Sequence, residues 1–227
     1  MVTVISLGGS IVAPDGVDED FLKGFIALVG EFLAKDDKRR FILVVGGGGP
    51  ARAWQKAYRN LVSSPVDEQA DWIGIMATRL NAQLIRAVMG DWCTQDVVTD
   101  PTQVEPLMGR VLVASGWKPG FSSDYDAVLL AERFQANAVI NLSNIEKVYT
   151  ADPKKDPNAK PIDEISWPEF CAMVGDEWVP GKNLPFDPIA SKHAAKLGLK
   201  VICAAGRDLP NMRKILLGEA FVGTTIS

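Results

Sequence analysis

Short aliphatic runs recur along this chain at residues 2–7, 41–45, 95–99, 110–115, 138–142 and 200–204, separated by longer stretches with helical spacing. No other feature restricts the fold so strongly. "FILVV" at 41–45 is apolar without interruption, the pattern of a strand buried on both faces, and such strands belong to parallel sheets covered by helices. The helical stretches run over 18–35, 50–61, 64–90, 124–136, 167–174, 187–197 and 208–217, and a last short strand lies in "AFVGTTI". In the first of them the apolar positions 21, 22, 25, 26, 28, 29, 32 and 33 make one helical face, with Asp18 and Asp20 at its start. In the longest, Ser64 is placed to cap, Pro65 to open and Gly90 to close the helix. Its apolar residues spread round more than one face, which points to burial against another subunit. The expected class is α/β: three layers, helices on both sides of a mostly parallel central sheet. At 227 residues and 47% hydrophobic content, one domain over 1–227 has enough core to fold as a unit.

Charge and rare residues narrow the chemistry. A net charge of −4 and a pI near 5.1 argue against a nucleic-acid partner, and the densest basic run, Lys38 to Arg40, reads as a solvated loop. No stretch is apolar enough for a membrane span, and the N-terminal run lacks a basic leader, so a cytoplasmic location is expected. Cys93, Cys171 and Cys203 are far apart among apolar neighbours, which suits reduced, buried thiols and no zinc site. The single histidine, His193, excludes a multi-histidine metal centre and leaves only a lone acid–base role.

Glycines mark where ligand chemistry belongs. Ligands of an open α/β sheet sit at the carboxyl ends of strands. Here "GGS" (8–10), "GGGG" (46–49), "GWKPGFSSD" (116–124) and "LSNIEK" (142–147) all fall at such ends. Bare backbone is kept where something must come close: a dinucleotide, a nucleoside phosphate or another chain segment. Gly46, Gly48 and Ala51 satisfy G-x-G-x-x-A formally, yet no acidic residue ends a strand twenty positions on, and G-x-x-x-x-G-K-[ST] is absent. Two glycine loops at two strand ends instead suit two phosphates meeting in one crevice, the geometry of phosphoryl transfer. On that reading Gly48→Val abolishes turnover and leaves the fold intact.

These loops and the strings around them resemble the amino acid kinase superfamily over nearly the whole chain, in order: "LGGS", "VVGGGGPAR", "DWIGIMATRLNA", "KPGFSSDYDAVLLAE", "VYTADPKKDP" and "DPIASKHA". The pattern filled by Asp71, Gly74, Ala77, Thr78 and Asn81 is similar to the branch that phosphorylates UMP, and the "GGS" opening to its archaeal type. The resemblance implies the amino acid kinase fold, with an acceptor-side half over about 1–137 and a nucleotide-donor half over about 138–227. It implies transfer of a phosphoryl group from MgATP to UMP, with Mg²⁺ on the donor phosphates rather than in a protein cage, and a homohexamer.

Residue by residue, the resemblance puts Gly8, Gly9 and Ser10 around the ATP phosphates, with Gly48 and Arg52 near them and Gly47 toward UMP. Asp71 would hold the ribose hydroxyls of UMP. Trp117, Lys118, Pro119, Gly120, Phe121, Ser122 and Ser123 would wrap its base and phosphate. Ser143, Asn144, Tyr149 and Asp152 would line the adenosine site. Asp187, Arg52 and Gly9 would form the catalytic set, Asp187 as its organiser. Two positions depart from the pattern. Ser6 stands where many superfamily members have a lysine, whose charge would have to come from Arg52, Lys182 or Mg²⁺. Glu146 and Lys147 replace an Asp-Gly turn, which alters the donor side. A kinase of another small phosphorylated acceptor, such as isopentenyl phosphate, and a non-catalytic nucleotide- or oxyanion-binding protein are the competing readings. A dehydrogenase ranks behind both.

Overall fold

The computed structural model describes residues 1–175 and 184–227. In chain order the elements are β1 (Val2–Leu7), α1 (Gly9–Val12), α2 (Glu19–Lys35), β2 (Arg40–Val45), α3 (Gly48–Leu61), α4 (Asp67–Met89), β3 (Val111–Ala114), α5 (Ser123–Arg133), β4 (Ala138–Ser143), β5 (Val148–Tyr149), β6 (Pro161–Ile162), β7 (Glu164–Ile165), α6 (Trp167–Val174), α7 (Pro188–Leu197), β8 (Lys200–Ala205), α8 (Leu209–Leu217) and β9 (Thr224–Ile226). Seven strands form one sheet in the order β3-β2-β1-β4-β8-β9-β7. All neighbours are parallel except β8 and β9. The α/β expectation therefore holds.

Alternation along the central strands builds two cores. Ile5, Leu7, Phe41, Leu43 and Val45 face one side, with Phe25, Leu33, Ile85 and Met212 from α2, α4 and α8 against them. Val4, Ile42 and Val44 face the other side, with Val128, Phe170 and Ala190 from α5, α6 and α7. Buried on both faces, β2 from Phe41 on and β3 carry no polar residue and read as continuous apolar runs, while β1 and β4 each bury a polar side chain, Ser6 and Asn141. Helix α3 packs on α4 outside this sandwich, and Gly48 is its one buried residue.

Several local expectations change. The run at 95–99 is not a strand: Val98 makes one isolated parallel bridge to Ala114. Gln95 is turned aside, accepting from Met108 N at 2.8 Å and donating to Pro106 O at 3.1 Å. Ser64 does not cap α4, which begins at Asp67 with no side-chain cap; the N–H of Val66 goes to Tyr58 Oη. Arg39 is not solvated, since its guanidinium lies 4.9 Å from the centre of the Phe32 ring. Cys93 and Cys203 are buried, but Cys171 only partly. "TADPKKDPNAKP" is an ordered excursion closed by antiparallel pairing of β5 with β6. None of the described helices is long and apolar enough to cross a membrane.

Candidate active site

From β1 the chain proceeds to β2 and β3 on one side, then returns to β4 on the other. The carboxyl ends of β1 and β4 thus flank a switch in strand order, where an open sheet leaves a crevice. Gly8 closes β1 by donating to Leu142 O at 2.9 Å, and Gly9 and Ser10 open the single turn α1. Gly46–Gly49 follow β2 and turn straight into α3.

The two glycine loops pack against each other. A Cβ on Gly9 would lie 2.0 Å from Gly48 N, and one on Gly46 would lie 2.4 Å from Gly9 N. Gly48 has φ +67°, and its Cβ would meet Ala13 O at 2.2 Å; that of Gly49 would meet Pro14 O at 2.0 Å. Of the three partners that bare backbone allows, a chain segment is the one these four glycines touch. Asn81, buried on α4, donates to Gly46 O at 2.9 Å and Gly47 O at 3.2 Å. Gly47 itself faces α4, where a Cβ would lie 3.3 Å from Gly74 O.

Helix α4 also grips the loop after β3. Thr78 Oγ1 accepts from Gly116 N at 2.8 Å, and Asp71 Oδ2 accepts from Gly120 N at 3.2 Å. A carboxylate has lone pairs left for a further donor. Gly120, at φ +85°, turns the loop. Trp117 packs on Phe121 and Phe121 on Tyr125, each with centroids 5.0 Å apart, and Lys118 Nζ lies 3.9 Å from the Trp117 centroid. Pro119 sits within the same turn, Ser122 caps α5 by accepting from Tyr125 N, and Ser123 is the first residue of α5.

Three carboxylates gather beneath. Asp187 caps α7, accepting from Ala190 N at 2.7 Å, and donates its own N–H to Asp124 Oδ2 at 3.3 Å. Asp124 Oδ1 accepts from Ser6 Oγ at 3.1 Å. Asp126 is fully buried and accepts from Trp117 N at 3.2 Å. Asp126 Oδ1 and Asp187 Oδ2 are buried and find no hydrogen-bond partner among the described residues. Crowding by protein atoms, then the charge of Asp187, lifts the Asp124 carboxyl to about 7. Burial lifts Asp126 to about 8 and raises Asp187 as well. Burial, with Asp124 nearby, also pushes the Cys203 thiol up to about 12.

The remaining candidates are more dispersed. Arg52 is exposed on α3 and donates to Pro14 O at 3.2 Å. Ser143 ends β4, its Oγ accepting from Ile145 N at 3.3 Å, and Asn144 beside it is exposed. Tyr149 lies in β5, and Asp152 opens the following turn, accepting from Lys154 N at 3.0 Å. Lys147 is committed to an ion pair with Asp163. His193 pairs with Glu132 at 2.9 Å on the face between α5 and α7. Lys182 lies outside the described residues. Sequence reasoning assigned no role to Arg79 or Asp126; Asp126 left a trace, because it falls on the same helical face as the buried Leu130.

Residues 1–205 match the model of the amino acid kinase family. A protein named uridylate kinase from Methanospirillum hungatei is 36% identical over 99% of this chain and 94% of its own length. One of the same name from Thermoplasma volcanium is 33% identical, covering 98% and 96%. The crystal structure of uridylate kinase from Archaeoglobus fulgidus superimposes with a TM-score of 0.83 at 33% identity, covering the whole of both chains.

Proposed function

This chain belongs to the amino acid kinase family, and we propose from that premise that it is a UMP kinase of the archaeal type, making UDP and ADP from UMP and ATP. One observation carries the reading beyond the family: α4 holds both the glycine loop, through Asn81, and the 116–123 loop, through Thr78 and Asp71. These are residues of the string shared with the UMP-phosphorylating branch. Their joint grip on two strand-end loops suits an acceptor with a ribose, a base and a phosphate.

In this reading residues 1–137 serve the acceptor and 138–227 the donor. A phosphate oxygen of UMP, already ionised near neutral pH, attacks the γ-phosphorus in line. The new O–P bond forms as the bond to the β–γ bridging oxygen breaks, and ADP leaves; no covalent enzyme intermediate is needed. Gly9, Gly47 and Gly48 set the floor between the substrates, and Gly8 and Ser10 border the donor phosphates. Arg52, whose guanidinium has N–H groups left for a phosphate beside the one that donates to Pro14 O, supplies positive charge. Asp71 accepts from the ribose hydroxyls. Ser143, Asn144, Tyr149 and Asp152 border the adenosine.

The oxygen-rich surroundings of Asp187 fit Mg²⁺, a hard cation that favours oxygen and keeps its waters. Asp187 Oδ2 is a buried oxygen with no hydrogen-bond partner among the described residues, and among those residues no group of three His, Cys, Asp or Glu side chains is arranged to hold a metal ion by itself. When bound with the donor phosphates, Mg²⁺ would supply neutralisation of the charge developing there, and Asp187 would be the residue that orients it. The protein acts in the cytoplasm as a homohexamer. Exposed apolar residues on α3 and α4, among them Trp54, Leu61, Met76 and Leu80, support these helices as part of the subunit contact.

Ser6 in place of the lysine favours a second reading, a nucleotide-binding protein without turnover. A coupled ADP-release assay with MgATP against UMP, CMP, dUMP and isopentenyl phosphate separates the two. Strong turnover of UMP and weak use of dUMP is the expected result. ATP binding with no turnover of any acceptor would overturn it in favour of the second reading.

A further inference from the structure

We propose that Arg79 is a positioning residue for the acceptor: by holding the carbonyl of Trp117, its guanidinium fixes the 116–120 loop over Asp71. This rests on the reading of UMP as acceptor. Four side chains tie down the backbone of that loop. Thr78 accepts from Gly116 N at 2.8 Å, Asp126 from Trp117 N at 3.2 Å and Asp71 from Gly120 N at 3.2 Å, while Arg79 Nη2 donates to Trp117 O at 3.3 Å. Arg79 is the only one of the four that carries a permanent positive charge.

Its own placement is constrained from several sides. The guanidinium carbon stands 5.8 Å from the centre of the Trp72 ring, one turn pair back on α4, and Nη1 lies 3.9 Å from Met76 Sδ. Its Nε is buried and finds no acceptor among the described residues. A buried, unsatisfied donor on a charged group is costly, so the side chain is not held there for its own hydrogen bonding alone. What it reaches is the backbone at Trp117, the first ring of the Trp117–Phe121–Tyr125 stack. Because those rings are in contact, a shift of the Trp117 carbonyl moves the wall of the acceptor site while the glycine loops stay put. Thr78 and Asp126 cannot by themselves prevent that shift, since they hold the N–H groups of Gly116 and Trp117 and leave the following peptide, which carries the Trp117 carbonyl, free to turn. Lysine is a poor substitute: a compact ammonium has a single nitrogen and cannot keep the contacts near Trp72 and Met76 Sδ while also donating to the Trp117 carbonyl.

The test compares wild type, Arg79→Lys and Arg79→Gln by steady-state kinetics in UMP and in ATP, with amide hydrogen exchange measured on the nucleotide-free protein. Loss of one charge-assisted tether predicts a UMP KM raised about tenfold in Arg79→Gln and less in Arg79→Lys. The ATP KM and kcat are expected to stay within about twofold, as for lost uniform binding. Exchange should quicken at Gly116–Gly120 and not at Gly46–Gly49. Equal rises in both KM values, a fall in kcat at unchanged UMP KM, or unaltered exchange in the loop would each overturn the proposal. Should Arg79→Gln not fold, Arg79→Lys decides by the same criteria. If wild type does not phosphorylate UMP, the acceptor reading fails instead, and the exchange measurement still decides whether Arg79 holds the loop.

Discussion

Gly9 and Gly48 meet backbone to backbone: a single Cβ on Gly9 would overlap the amide of Gly48 at 2.0 Å. The end of β1 and the end of β2 can therefore share one crevice floor, with no side chain between them. The four consecutive glycines serve this chain-to-chain contact first, and any phosphate would approach a floor already closed.

Gly48→Val is consequently a folding defect as well as a functional one, contrary to the expectation from sequence that the fold survives. The residue sits at φ +67° and its side chain would strike Ala13 O and Gly9 O. Left-handed strain and overpacking together cost about 3 kcal/mol or more. The urea midpoint should fall well below wild type; an unchanged midpoint would mean that the loops can part.

Asn81 ties α4 to the carbonyls of Gly46 and Gly47. Asn81→Ala removes the side-chain donor from both, leaving Gly47 O only the longer bond from Ala51 N at 3.4 Å, a loss of about 2 kcal/mol, and kcat should drop with it. Asn81→Asp should be worse, because a carboxylate faces two carbonyl oxygens. Chemical denaturation of both variants measures this, and an Asp variant more stable than the Ala variant would contradict the geometry.

Asp71→Asn keeps an oxygen for Gly120 N but loses the charge and one acceptor. Stability should hardly move. The UMP KM should rise about tenfold to a hundredfold, and the preference for UMP over dUMP should shrink. Kinetics on both acceptors, alongside a melting curve, distinguish a ribose contact from a loop tether.

Asp126 holds its proton to about 8 in the folded chain, against an ordinary 3.8. Between those values the native state binds more protons than the unfolded one, so this group's contribution to stability falls as pH rises. Asp126→Asn cannot ionise and keeps an acceptor for Trp117 N. Its Tm should exceed that of wild type by several degrees at about pH 8.5, and by little at about pH 4.5. A constant difference across that range would show that Asp126 is not the group titrating.

Alternating apolar runs and helical stripes were enough to read the α/β class, the ends of β1, β2 and β4, and the helix that starts at Asp187, because strand burial and helical periodicity are local patterns. The shared strings likewise carried the family. What they did not carry was which loop touches which. The bond from Ser6 to Asp124 spans 118 positions, and those from Arg79 to Trp117 O and Asn81 to Gly46 O span 38 and 35. In the sequence Asp124 joins Arg52, Asp71 and Asp187 as a set that favours an enzyme over a binding protein, while Asp126 reads as an ordinary acid in the first turn of a helix. Only the β1–β4 adjacency, together with α5 and α7 on the same face, brings them toward Asp187 and takes them out of water. Strand order is set by how the whole core packs, and no periodicity along the chain encodes it.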